Sequence, residues 1–395
     1  MASLGVPAVV LRLTGTHLDP VLGAFVFGGG VLAAAFLLSW AAEAAELEIS
    51  QGFALAIIAL IAVLPEYAVD AVLAWEAGAD PIEAEKGLAI ANMTGGNRLL
   101  IGLAWPIVFV IFFYRTRLKE LVVDKQRSLE IAFLTIATLY VILIPLRHHV
   151  TILDTIVLVS MFIAYVFFTA RQESHEVELV GPARAIGSLE KRRRRVVTLV
   201  MLAVPAFVIF TAAHPFTEAL KEIGADFGIS EFLLIQWLAP LASEAPEVLV
   251  ASLLAWRGRA GAGMGVLISS KVNQWTLLIG TLPVVYLISA GDFGFTNGLP
   301  LDSHQREEIF LTAAQSAFAI AVFINLRMGM REAVALFVLF ATQLFITNEA
   351  VRLWYSAAYA VLCVIILIIN RKDIPVTSRL AWSMMRGKPA HESPD

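Results

Sequence analysis

Charge is what this chain has least of. Asp, Glu, Lys and Arg make up 16% of its 395 residues, against about 25% in an ordinary soluble domain. Residues of the set AVILMFWYC make up 58%, and the mean hydropathy is +0.77. So few charges cannot coat a water-soluble body of this length, which excludes a soluble enzyme. Cysteine occurs once, at Cys363, inside an apolar run; a disulfide framework and a cysteine-based zinc site are excluded with it. No His-Glu-x-x-His occurs, no Ser–His pair stands out, and none of the seven histidines lies deep in an apolar run. That argues against an intramembrane enzyme and against a haem or quinone carrier. The net charge is only −4 and the basic residues form no broad stripe, so no nucleic-acid partner is expected. The first twenty residues lack a basic start followed by an apolar run and a cleavage site, so no signal peptide is expected. What remains is an all-α polytopic membrane protein, expected in the cell membrane with the lipid bilayer as its main surroundings.

A helix needs about 20 apolar residues to cross the hydrocarbon layer. Eleven stretches qualify, near 21–43, 52–75, 87–114, 129–146, 150–170, 197–220, 229–256, 262–290, 308–326, 332–347 and 353–370. With eleven spans, alternate loops (115–128, 171–196, 257–261, 327–331 and the tail after 370) fall on one side and hold 21 of the 29 Lys and Arg. The other side holds six, which predicts the N-terminus outside and the C-terminus in the cytoplasm. The run Lys191-Arg192-Arg193-Arg194-Arg195 reads as a topology anchor with attraction for anionic lipid.

Two halves of the chain carry one pattern. Pro65-Glu66 and Leu73-Ala74-Trp75 recur as Pro246-Glu247 and Leu254-Ala255-Trp256, and Leu99-Leu100-Ile101-Gly102 recurs as Leu277-Leu278-Ile279-Gly280. A preceding Ile49-Ser50 is matched by Ile229-Ser230. The first unit enters from one side and the second, five spans later, from the other. The repeats are therefore expected to be inverted, as in secondary transporters whose sites lie near the midplane. The expected organisation is a first five-helix repeat over 20–170, a basic linker at 171–196, a second inverted repeat over 197–347, an additional helix at 353–370 and a tail at 371–395.

Four acids sit in the matched helices: Glu66, Asp70, Glu244 and Glu247. A carboxylate in hydrocarbon costs about 2.5–3.5 kcal/mol even on the lenient insertion scale, so each needs a reason. Spacings of four and three put each pair on one helix face, and each pair accompanies a proline that frees backbone carbonyls. Carboxylates and carbonyls are hard oxygen ligands suited to sodium or calcium. Asp70 can equally be a carboxylate near a helix end; structural ion pairs of Glu66 and Glu247 with Arg98 or Lys271 are the lesser alternative for those two acids. The following block, Asn92-Met93-Thr94-Gly95-Gly96-Asn97-Arg98, predicts an interrupted helix with exposed carboxamides; its counterpart is Ser269-Ser270-Lys271-Val272-Asn273-Gln274. Small and amide residues of this kind also serve as helix-packing contacts.

At these residues the chain resembles the calcium/cation antiporter superfamily, which includes the sodium/calcium exchangers. That family has two inverted five-helix repeats, each with a Gly-Thr-Ser-x-Pro-Glu helix and a Gly-Asn-x-x-Gly-Ser-Asn helix. The resemblance implies that Glu66 and Glu247 ligate the transported metal ion; on the residues themselves, Glu244, Asp70, Ser243, Asn92, Asn97 and Asn273 are expected to complete the ion site. The Gly-Thr-Ser position reads Ile61-Ala62-Val63 in the first half and Ala242-Ser243-Glu244 in the second, and Lys271 stands where the second half should carry a neutral or acidic ligand. Lys271 and Arg98 are therefore expected to tune the charge of the site. The implied activity is cation antiport by alternating access, Ca2+ or Na+ against Na+ or H+, with no cofactor beyond the transported ion. The alternative is a non-transporting paralogue in which Lys271 and Arg98 neutralise the acids.

Overall fold

The computed structural model describes residues 2–45, 47, 63–171, 179, 181–292, 294, 297–346 and 348–386. The helices in chain order are α1 (Ala2–Thr14), α2 (Pro20–Ala45), α3 (Leu64–Ala79), α4 (Leu88–Leu99), α5 (Trp105–Thr116), α6 (Ser128–Val141), α7 (Ile152–Thr169) and α8 (Lys191–Phe227). They continue with α9 (Glu231–Trp256), α10 (Ala260–Asn273), α11 (Ile279–Ala290), α12 (Ser303–Val322), α13 (Met330–Gln343), α14 (Glu349–Ile369) and α15 (Ile374–Met385). Two six-residue helices, Pro81–Lys86 and Pro182–Gly187, are added to these. Strand β1 (Glu120–Val122) pairs antiparallel with β4 (Arg327–Gly329), and β2 (His149–Thr151) with β3 (Gly298–Pro300). These ribbons of three residues per strand are too short to form a core.

Nine helical stretches among the described residues are long and apolar enough to cross a membrane. The stretch expected at 52–75 is described only from Val63 onward, so Ile49-Ser50 and Ile61-Ala62 lie outside the described residues. The stretch expected at 332–347 is the 14-residue α13, shorter than a full crossing. Two helices were not anticipated, α1 and α15. Neither has the length that a search for spans detects.

The chain divides into two compact units, one made of residues 1–92 and 174–247, the other of 93–173 and 248–395. In the first, α2 and α8 lie closely side by side, with glycines of α2 at points of closest approach. A Cβ on Gly28 would come within 2.6 Å of the Phe216 ring, and one on Gly30 within 2.8 Å of Ala8 on α1. Small residues allow such approach between helices that gain little from hydrophobic burial in lipid. Helix α8 runs 37 residues without a break despite Pro205 and Pro215, roughly 55 Å at 1.5 Å per residue, so it extends well past the hydrocarbon layer.

In the second unit, the expected interruption at Asn92–Arg98 is absent. α4 remains helical through Gly95 and Gly96, and the irregularity falls just after it, as a π-helix over Leu100–Ala104 that leads into α5. The second half has the same feature, a π-helix over Gln274–Leu278 between α10 and α11. Both π segments overlap the repeated Leu-Leu-Ile-Gly block. The first also carries a close approach: a Cβ on Gly102 would overlap the Phe340 ring. Glycine is tolerated inside a helix, whereas the extra residue of a π turn must be accommodated by neighbours. The irregularity thus lies just after the block where the sequence placed it, and it is a π turn rather than a break.

A candidate cation site in the first unit

Helix α3 begins at Leu64, with Pro65 in its first turn, where its missing N–H costs nothing. Glu66 follows immediately and is buried, 3% exposed. It therefore sits at the positive end of the helix dipole, where a carboxylate or a bound anion is favoured. One turn on, Asp70 is 1% exposed. Its Oδ1 accepts a hydrogen bond from Asn92 Nδ2 at 2.8 Å.

Helix α9 supplies the second half of the cluster. Pro246 has no N–H to donate to the carbonyl of Ala242, four residues back, and Pro240 has none for Gln236. Between them lie Ser243 and Glu244, both buried, and Glu247 follows, half-buried. Ser243 donates its hydroxyl proton to the carbonyls of Ala239 and Pro240, both at 3.3 Å, which leaves its oxygen lone pairs available to a cation.

These side chains converge. Glu66 lies close enough to Glu244, Asp70 and Glu247 to interact with all three electrostatically. Asp70 and Glu247 each interact with Glu244 as well. Buried oxygens of Glu66 (Oε1), Asp70 (Oδ2), Asn92 (Oδ1) and Glu247 (Oε2) have no hydrogen-bond partner among the described residues. A buried polar atom without a partner costs about 1–3 kcal/mol, more when charged. Several such oxygens in one place make a ligand set for a hard cation. No described Lys or Arg forms an ion pair with Glu66, Asp70 or Glu247.

The remaining expected residues belong to the second unit and have other engagements there. Asn97 donates to the Met93 carbonyl at 2.8 Å and accepts from Lys271 Nζ at 2.5 Å. Its amide oxygen is thus occupied by an ammonium. The same ammonium lies 4.0 Å from the centre of the Trp275 ring, a cation–π contact. Asn273 is buried on α10. Arg98 is fully buried and paired with Glu308 at 2.5 Å, and Glu308 also binds Arg352. Within the second unit, the Arg98 guanidinium is thus matched by Glu308.

With the geometry established, comparison with known proteins identifies the lineage. The family model described as "Sodium/calcium exchanger protein" matches residues 20–171 and 197–368, most of the chain in two blocks. The chain belongs to the sodium/calcium exchanger protein family. Its fold superimposes on a solved structure titled as the H+/Ca2+ exchanger CAX, with a TM-score of 0.92, 43% identity, and coverage of 98% of this chain and 96% of that one. The structure of native YfkE matches with a TM-score of 0.62 at 15% identity, over 87% of this chain and 97% of that one, a likeness of fold alone. An uncharacterized membrane protein of Methanocaldococcus jannaschii, MJ0091, is 25% identical over 199 residues. That match takes in 50% of this chain and 61% of the relative's length. This exchanger-family protein is therefore a multi-pass membrane protein of the calcium/cation antiporter superfamily, a family of transporters rather than enzymes.

Sequence reasoning missed the partners of Arg98. Glu308 stood at the first residue of an expected span and Arg352 in an expected loop, yet α12 begins at Ser303 and α14 at Glu349, so both lie inside helices and are buried. An error of a few residues in a helix boundary is enough to turn a buried ion pair into two apparently solvated charges.

Proposed function

We propose that this exchanger-family protein moves calcium against protons. The transported ion would bind at Glu66, Asp70, Glu244 and Glu247, with Ser243 and Asn92 completing the shell. The observation that carries this reading is the gathering of four acids within electrostatic reach of one another, with buried oxygens of Glu66, Asp70 and Glu247 that have no hydrogen-bond partner among the described residues. Carboxylates held this close together repel one another, and either protons or a metal ion relieve that repulsion. A site of acids that share protons when no metal is bound, and release them when a divalent cation arrives, couples the two ions by charge alone. Further support comes from the 43% identity, over nearly the full length of both chains, to a structure titled as an H+/Ca2+ exchanger.

Alternating access follows from the two-repeat reading, 20–170 and 197–347, with the cell membrane as the setting and no cofactor required. The charge-locked alternative finds less support, because Glu66 and Glu247 form no ion pair with a described Lys or Arg and Arg98 is held by Glu308. The test is calcium uptake into proteoliposomes driven by an imposed pH gradient. Wild-type protein is expected to accumulate calcium with the proton gradient and not with a sodium gradient. Glu66→Gln and Glu247→Gln are expected to abolish uptake while the protein still elutes as a folded species. Uptake driven only by sodium would overturn the proton coupling, and normal uptake by both variants would remove the acids from the site.

A further inference from the structure

Ten residues beyond Glu66 on the same helix, about 15 Å along its axis, a second polar cluster links α3 to α8 within the first unit. Glu76 holds His214 Nδ1 at 2.8 Å through one carboxylate oxygen and Lys221 Nζ at 2.7 Å through the other. Lys221 also reaches Glu83 at 3.0 Å and Glu218 at 2.9 Å. Lys86 joins Glu83 at 2.9 Å to Glu231 at 3.1 Å. Four carboxylates thus face two ammonium groups, and two positive charges set against four negative leave a formal −2.

The lysines are ordinary ion-pair partners; the imidazole is a different kind of group. His214, 44% exposed, brings a nitrogen donor to the cluster. His214 and Glu218 are one turn apart on α8, on one face, and Glu76 approaches them from α3. One ligand atom from each of Glu76, His214 and Glu218 lies within 4.8 Å of the others, close enough for all three to reach one ion with modest side-chain adjustment. A cavity of about 320 Å³ opens beside them, lined by His17, His214, Glu218 and Glu222, with room for the ion to enter and for water to complete its shell. One imidazole with two carboxylates, and a remaining charge of −2, suits a borderline divalent transition metal. Calcium and magnesium favour all-oxygen shells, and the nitrogen sets this cluster apart from the acids around Glu66.

We propose that Glu76, His214 and Glu218 form a zinc site that bridges α3 and α8. A zinc ion there would take the place of the proton between His214 Nδ1 and Glu76 Oε1. The site does not depend on the exchange reaction proposed above.

Isothermal titration of the full-length protein in detergent with zinc chloride at neutral pH tests this. The expected result is one zinc per chain at this site in both the wild type and the Glu66→Gln/Glu247→Gln double variant. His214→Ala, Glu76→Gln and Glu218→Gln, each in the double-variant background, are each expected to weaken it about tenfold or more. His214→Cys is expected to retain zinc, because a thiolate is a zinc ligand while the imidazole is gone. Retention by His214→Cys with loss by His214→Ala separates ligation from a folding defect, and magnesium titrated in place of zinc is expected to give no saturable binding in the double variant. No saturable zinc binding in the double variant, or unchanged affinity in His214→Ala, would overturn the proposal.

Discussion

Asp70 and Asn92 come from different helices and are joined by one hydrogen bond in which the amide donates. That bond fixes one carboxylate oxygen and leaves the other turned into the acid cluster without a partner. A hydrogen bond to a charged group is worth about 1.5–3 kcal/mol, and about 1.4 kcal/mol is a factor of ten in affinity. Asn92→Ala is therefore expected to raise the calcium concentration for half-maximal uptake about tenfold, with Asp70→Asn at least as damaging because it removes charge as well as position. Unchanged concentration dependence in both variants would take the pair out of the ion site. At the same scale, the sequence placed Asn92 and Asn97 in one class, and their neighbours separate them. Asn92 faces a carboxylate and keeps its oxygen open, whereas Asn97 gives its oxygen to Lys271. One sequence cannot make that distinction, because the two residues have the same chemistry and differ only in what packs against them.

Helix α9 is the element on which the site depends most, since it carries Ser243, Glu244 and Glu247 between and beside two internal prolines. Proline in a helix interior costs roughly 3 kcal/mol relative to alanine. Pro246→Ala restores a donor for the Ala242 carbonyl, and it is expected to raise the thermal unfolding temperature in detergent while slowing calcium exchange. A slower rate with lower thermal stability would instead indicate that Pro246 serves packing alone. The repeated Pro-Glu pairs were legible in the sequence because proline and a carboxylate are both out of place in an apolar run. The π-helices at Leu100–Ala104 and Gln274–Leu278 were not legible. A π turn arises from how neighbouring helices accommodate one extra residue, and composition carries no direct mark of it. The glycines that drew attention to Gly95–Gly96 lie inside an unbroken α4, because glycine weakens a helix by only about 1 kcal/mol and packing readily offsets that.

For the molecule as a whole, each compact unit takes an early segment and a late one: 1–92 with 174–247, and 93–173 with 248–395. The divisions fall at Asn92–Met93 on α4 and at Glu247–Val248 on α9, so all four acids of the cluster lie in one unit, drawn from both halves of the chain. The second unit has its own buried ionic core, in which Glu308 is bound by both Arg98 and Arg352, joining α4, α12 and α14. Removing one partner from a buried ionic network costs about 3–5 kcal/mol, since the remaining charges keep their desolvation penalty. Glu308→Gln is thus expected to lower thermal stability markedly, measured by unfolding in detergent. An unchanged unfolding temperature would mean that the two guanidinium groups find other partners. The sequence by itself determined that this protein lies in a membrane, that it is helical and doubled, and that Glu66 and Glu247 are set apart, because apolar length, repetition and misplaced charge are properties of the chain read in order. Only the tertiary structure decided which charges answer one another. Arg98 meets Glu308, Lys271 meets Asn97, and Asp70 meets Asn92, since pairing energy depends on distance in space, and residues as far apart as 98 and 308 carry no record of their meeting in a single sequence.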